Sequence, residues 1–133
     1  MNDATKILIV EDEKLIRKAY AEELQSEGFT VIVAGNGKEG LDTALSEKPD
    51  LILLDILMPI MDGVTMMGKL RESGEYGAKV PIILLTNLST NEEKILEAVV
   101  KDKPSLYLEK SSWDLTNVVE KIKEYLQDKP KVV

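Results

Sequence analysis

The stretch Leu51-Ile52-Leu53-Leu54-Asp55-Ile56-Leu57-Met58-Pro59-Ile60-Met61-Asp62-Gly63 decides how this 133-residue chain is read. Four consecutive aliphatic residues describe a strand buried on both faces, as in a parallel sheet covered by helices on each side. Asp55 ends that run. An ionised carboxylate is costly inside a sheet, so it belongs at the strand's open end, where it can act as a nucleophile. Taken alone, the same acid also reads as a cap for the following loop. Met58, Met61, Met66 and Met67 read as packing around a helix entry, since methionine fills irregular gaps.

Outward from this stretch, short β-rich runs alternate with helical periodicity. Residues 7–10 and 30–34 read as strands, with a helix over 13–27 that places Ile16, Ala19, Tyr20 and Leu24 on one face. Gly28 supplies its C-terminal cap. Asn36 caps a second helix that runs to about 47, where Pro49 closes it. Beyond Asp55, the pattern predicts a helix over 65–73, a turn at 74–77 and a strand over 80–85 whose start Pro81 weakens. Asn91 caps a helix over 92–101, residues 106–108 form a short strand, and Leu115, Val118, Val119, Ile122 and Leu126 mark a final helix. Five strands alternating with five helices predict a doubly wound α/β domain, with a parallel sheet and helices on both faces. Residues 1–127 form that domain; 128–133 read as a C-terminal tail or linker stub.

Ligands in such folds gather beyond the carboxyl ends of the strands. There stand Glu11 and Asp12 after the first strand, Asp55 after the third, Thr86 after the fourth and Lys110 after the fifth. Carboxylates packed together raise one another's pKa unless a cation compensates. Magnesium suits an all-oxygen set. Asp12 and Asp55 are the direct ligands in this reading, and the longer Glu11 holds a metal-bound water. Individually the residues have plainer readings: Glu11 and Asp12 as a helix cap, Thr86 as a strand residue, Lys110 as a solvated charge and Tyr107 as core.

Composition excludes much else. Seventeen basic against 24 acidic residues give a net charge of −7, which disfavours direct nucleic-acid or anionic-membrane binding. Cysteine and histidine are both absent, removing disulfides, thiolate sites and imidazole chemistry. The opening residues lack the blocks of a signal peptide, and no apolar run nears a membrane span. A cytoplasmic protein is expected.

Together, Val10-Glu11-Asp12-Glu13, Asp55-x-x-Met58-Pro59-x-Met61-Asp62-Gly63, Leu85-Thr86 and Tyr107-x-x-Lys110 resemble the response-regulator receiver domain, the CheY-like phosphoacceptor of two-component signalling. The resemblance covers nearly the whole chain and implies a flavodoxin-like strand order of 2-1-3-4-5. It implies Mg2+-dependent phosphoryl transfer from a histidine kinase or phosphotransfer protein to Asp55, with Mn2+ able to substitute. The backbone carbonyl of Leu57 joins Asp12 and Asp55 around the metal, while Lys110 and Thr86 contact phosphoryl oxygens. Thr86 and Tyr107 then switch the face that meets a downstream protein. It also implies a signalling phosphoacceptor and not an enzyme, a monomer or a dimer formed on phosphorylation.

Several positions depart from the family pattern. Ser111 follows Lys110 where the family usually has proline in a cis bond, and a non-proline cis bond costs about 3 kcal/mol. Ser112 stands where an aromatic is frequent, with Trp113 one residue later. Asn87 stands after Thr86 where the family commonly places a small residue, the bulky, apolar Leu88 comes next, and 101–105 replace a common Gly-Ala turn. Leu57 and Leu88 offer no group to orient a hydrolytic water, so slow self-dephosphorylation is expected. Three other readings stand beside this one: an excised receiver of a longer, for example DNA-binding, regulator; a metal-dependent phosphatase; and a receiver-like binding module that is not phosphorylated. The phosphatase reading needs a second acid just after the nucleophile, and Ile56-Leu57 supplies none.

Overall fold

A computed structural model describes residues 5–86, 92–110 and 112–127. Strands β1 (Lys6–Val10), β2 (Thr30–Ala34), β3 (Leu51–Asp55), β4 (Ile82–Thr86) and β5 (Leu106–Glu109) form one parallel sheet in the order β2-β1-β3-β4-β5. The helices are α1 (Lys14–Ser26), α2 (Gly37–Glu47), α3 (Gly63–Arg71), α4 (Glu75–Lys79), α5 (Glu92–Asp102) and α6 (Leu115–Gln127). This is the doubly wound architecture that the sequence predicts.

The aliphatic runs are continuous because both faces of the sheet are covered. Leu8, Val10, Ile52, Leu54, Ile82 and Leu84 point to one side, against Ala44, Met66, Met67, Leu70 and Ala98 of α2, α3 and α5. Ile7, Ile9, Leu51, Leu53, Ile83 and Leu85 point to the other, against Tyr20 and Leu24 of α1 and Val118, Val119 and Ile122 of α6. Alternation along each strand thus feeds two cores. Fully buried Met66 and Met67 and partly buried Met58 and Met61 occupy the first of them, as their packing role requires.

Local signals explain the helix ends. Asn36 Oδ1 accepts the Glu39 amide at 2.9 Å, and Asp62 Oδ1 accepts the Thr65 amide at 2.8 Å. Because Asp62 caps it, α3 starts at Gly63, two residues ahead of the predicted 65. Val80 N–H is taken by the Tyr76 carbonyl, and Pro81 has none, so β4 begins at Ile82 rather than at 80. The turn predicted at 74–77 is instead the short helix α4, making six helices among the described residues rather than the predicted five. Tyr76 explains the difference: its hydroxyl donates to the Pro49 carbonyl at 2.6 Å and its ring packs on the core, so burial closes a weak local turn into helix. The Asn91 cap and the 128–133 tail lie outside the described residues. No helix among the described residues is long and apolar enough to cross a membrane.

Arg71, at the end of α3, ties several elements together. Its Nη1 donates to the carbonyls of Gly77 (2.8 Å) and Val80 (2.7 Å), Nε to that of Asp102 (2.7 Å), and Nη2 to that of Lys103 (3.2 Å). One guanidinium satisfies carbonyls at the ends of α4 and α5 that the helices themselves leave open. Arg71→Ala is expected to destabilise the fold by about 3 kcal/mol in urea titration, and Arg71→Lys to recover only part, since lysine lacks the planar fork.

Candidate functional site

The sheet order reverses between β2 and β3 around β1, and the crevice beyond their carboxyl ends is where this fold binds ligands. Val10 pairs with Leu54, so the residues that follow, Glu11 and Asp55, emerge side by side. Both are buried, Glu11 at 3% exposure and Asp55 at 6%, whereas Asp12 is exposed. Carboxylate oxygens of the three lie within 4.8 Å of one another. Lys110, one residue past β5, reaches across with Nζ 3.0 Å from Glu11 Oε1 and 3.4 Å from Asp55 Oδ1. Four of the residues that the sequence singles out at strand ends therefore meet at one point.

Glu11 is held from several directions. Its Oε2 accepts the Glu13 amide at 3.0 Å, its own amide donates to the Ala34 carbonyl at 3.1 Å, and its carbonyl accepts Arg17 Nη1 at 2.8 Å. The carboxylate's bond lies on Glu13, the N-cap position of α1, which makes no side-chain cap bond of its own, so neither Glu11 nor Asp12 occupies the cap position. Arg17 gives no sequence signal beyond a cation one turn into a helix.

Burial sets the electrostatics. It pushes the Asp55 carboxyl up to about 6, the Glu11 charge adds to the rise, and Lys110 offsets part of it. Burial also opposes the charge on Lys110, but Asp55 and Glu11 outweigh it and hold the ammonium above its ordinary pKa. On α1, burial, then Glu11, Asp114 and Asp55, raise the Tyr20 phenol to about 12, so it stays neutral near neutral pH. Three carboxylates against one ammonium leave negative charge to neutralise. Their oxygens form the hard donor set that a magnesium-sized divalent ion takes, and the residues fit such an ion.

The loop after Asp55 is pinned at two glycines. Gly63 N–H donates to the Ile56 carbonyl at 2.9 Å, and a Cβ there would overlap the Asp55 carbonyl oxygen. Gly37 N–H donates to the Met61 carbonyl at 3.0 Å, and a Cβ there would overlap that oxygen. Asp62-Gly63 thus supplies both a cap and a close backbone approach. Between these pins Ile60 sits at φ 70°, 79% exposed, a costly conformation for a β-branched residue. Leu57, two residues beyond Asp55, is also exposed.

Thr86 ends β4 one residue beyond Leu85, the register partner of Asp55, and pairs with Glu109 just before Lys110. Its backbone therefore lies at the level of the site. Tyr107 lies in β5 at 38% exposure, standing outward rather than in the core. Trp113 is partly buried against the α1–α6 core. The Lys110–Ser111 peptide, Asn87 and Leu88 lie outside the described residues.

Comparison with known proteins agrees with this geometry. The family model for the response regulator receiver domain matches residues 7–123, and the chain belongs to that family. Response regulator MprA of Mycolicibacterium vanbaalenii is 33% identical over 90 residues, covering 68% of this chain and 38% of that protein. The alkaline phosphatase synthesis transcriptional regulatory protein SphR of Synechococcus elongatus is 36% identical over 102 residues, covering 70% and 38%. The chain thus spans under half the length of these curated relatives. Among solved structures, a CheY-like receiver domain protein of Methanospirillum hungatei superposes with TM-score 0.82 at 27% identity, covering 95% of this chain and 96% of that one. Response regulator TrrA of Thermotoga maritima, solved in complex with Mg2+-BeF, gives TM-score 0.75 at 34% identity, covering 90% and 97%. The protein is a receiver domain of two-component signalling, a family that binds Mg2+ in an acidic pocket of this kind.

Two outcomes follow. A carboxyl whose folded pKa lies above its unfolded value of about 4 costs no stability below that pH and costs progressively more as pH rises through 6. In chelator, Asp55→Asn is therefore expected to stabilise the fold by about 2 kcal/mol at pH 8 and by little at pH 4, read from denaturant midpoints. Ile60→Asn, which suits a left-handed backbone and forfeits little burial, is expected to add about 1 kcal/mol in the same measurement.

Proposed function

We propose that this receiver accepts a phosphoryl group on Asp55 from the phosphohistidine of a histidine kinase or phosphotransfer protein. The observation that carries the reading is the Lys110 ammonium lodged between buried Asp55 and Glu11, with the Asp12 carboxylate alongside. An Asp55 carboxylate oxygen attacks phosphorus; as the O–P bond forms, the N–P bond breaks, and its electron pair returns to the imidazole nitrogen. Phosphoryl transfer asks little further covalent chemistry of the protein, so positioning and fixed charge do most of the work. Lys110 meets one phosphoryl oxygen and the Thr86 hydroxyl another. Asp12, Asp55 and the Leu57 carbonyl, with Glu11 through a water, would hold a magnesium ion, which when bound would supply charge neutralisation at the transferred group; manganese would serve in its place.

Drawing Thr86 toward the phosphoryl group opens room into which the half-exposed Tyr107 ring turns. The surface of α5, β5 and α6 thereby changes for a downstream protein, a population shift biased by one modification. With Leu57 and Leu88 offering no polar side chain to orient a hydrolytic water, the phosphoryl group is long-lived. We assign the protein to the cytoplasm, as a monomer or a phosphorylation-dependent dimer, with 1–127 as the receiver and 128–133 as tail or linker. A second reading, the receiver part of a longer DNA-binding regulator, is favoured by the 38% share of SphR and MprA that the chain spans.

The test is intact mass after acetyl phosphate treatment, followed by amide NMR of the same samples. One phosphoryl mass is expected with magnesium or manganese, none in chelator and none for Asp55→Asn, with amide shifts through α5, β5 and α6. A mass gain that survives Asp55→Asn overturns the site; unchanged amides across α5 to α6 overturn the switch; rapid loss of the added mass overturns the long lifetime.

A further inference from the structure

β2 forms one edge of the sheet, and its pairing with β1 uses alternate peptides. Thr30 N–H donates to the Thr5 carbonyl at 2.9 Å, and the Ala34 carbonyl accepts the Glu11 amide at 3.1 Å. Residues 30, 32 and 34 therefore face β1. By alternation, the peptide groups of Val31 and Val33 face outward, where no strand among the described residues pairs with them. The strand reads Thr-Val-Ile-Val-Ala, with no charge and no proline, and Val33 is 44% exposed. Natural edges of this composition are usually blunted by charge, proline or a bulge on the strand itself. This one carries none.

Beside the edge lies a groove of about 330 Å³, with Val31 and Val33 on its floor and Lys14, Arg17 and Lys18 of α1 along its wall. Among the described residues no carboxylate lines it, although the chain as a whole carries −7. An ion pair at the groove, Lys18 with Glu22, is 3.9 Å long between exposed side chains and contributes little. A bare hydrogen-bonding edge, an apolar floor and three cations on one wall define an occupant of matching chemistry.

We propose that the β2 edge and this groove take up an extended acidic segment of a partner protein by strand addition. The segment's backbone pairs with the Val31 and Val33 peptides. Its alternate side chains, all on the α1 face, place carboxylates against Lys14, Arg17 and Lys18. Charge selects this occupant. A second copy would bring the same cations to the seam, and an anionic bilayer or nucleic acid would be repelled by the rest of an acidic domain. The inference does not depend on phosphorylation at Asp55.

The probe is a short fluorescein-labelled peptide of alternating glutamate and valine, with a version carrying lysine for glutamate as control. Fluorescence anisotropy is expected to show saturable binding of the acidic peptide only, with amide shifts centred on Val31, Val33 and α1. Lys14→Glu with Lys18→Glu should weaken binding about tenfold. Val33→Pro should abolish it, because it removes an outward N–H and no bond to β1. Arg17 is left unchanged because it also holds the Glu11 carbonyl. Both variants should keep the wild-type melting temperature and the mass gain with acetyl phosphate. Absence of saturable binding, equal binding of the lysine peptide, or shifts away from β2 overturns the proposal. So does self-association that the Lys14/Lys18 reversal leaves intact, or capture by phosphatidylserine vesicles in place of the peptide. If Val33→Pro fails to fold, the lysine reversal alone decides: undiminished binding overturns the proposal.

Discussion

Two carboxylates at the carboxyl edge of a parallel sheet, Glu11 and Asp55, cannot both be ionised and buried without a compensating cation. Lys110 supplies it from the opposite side of the crevice, at 3.0 and 3.4 Å. Because that ammonium arrives from β5 while the acids arrive from β1 and β3, the balance holds only if those strands end at one level. The register Val10 with Leu54 and Asp55 with Leu85 ensures it. Fold and charge therefore depend on each other. The sheet collects the charges, and the ion pairs in turn favour the strand-end geometry that collects them.

The remaining negative charge has a chemical meaning. Neutralising it fully would make an inert structural salt bridge. Leaving Asp55 with a carboxyl near 6, and Asp12 open to solvent, keeps the crevice receptive to a divalent cation. The loop beyond Asp55 is built to the same end, since the tight backbone approaches at Gly37 and Gly63 fix the path of the chain that leaves the acid.

Much of this is legible in the sequence because the signals are periodic or chemically singular. Aliphatic runs long enough for only one strand, punctuated by Asn36, Gly28 and Pro49, make the βα alternation unambiguous. Acids, hydroxyl and amine each stand at the end of a strand or just beyond it. What escapes is decided by contacts between distant segments. The α4 helix exists because Tyr76 reaches Pro49, 27 residues away. Arg17 and Arg71 look like ordinary helix-surface cations until the structure shows one hydrogen bond from Arg17, and four from Arg71, to backbone carbonyls. The left-handed conformation of Ile60 contradicts its own local preference and is imposed by the loop's ends.

The Arg71 fork has a mechanical corollary. By gripping the carbonyls of Asp102 and Lys103 it anchors the carboxyl end of α5. A rigid helix held there turns about that point. Over the 11 residues of α5, roughly 16 Å of axis, a tilt of about 10° carries the far end about 3 Å while the anchored turn hardly moves. Any tilt of α5 about this anchor would have its fulcrum remote from the acidic crevice, with displacement growing toward the end that follows β4.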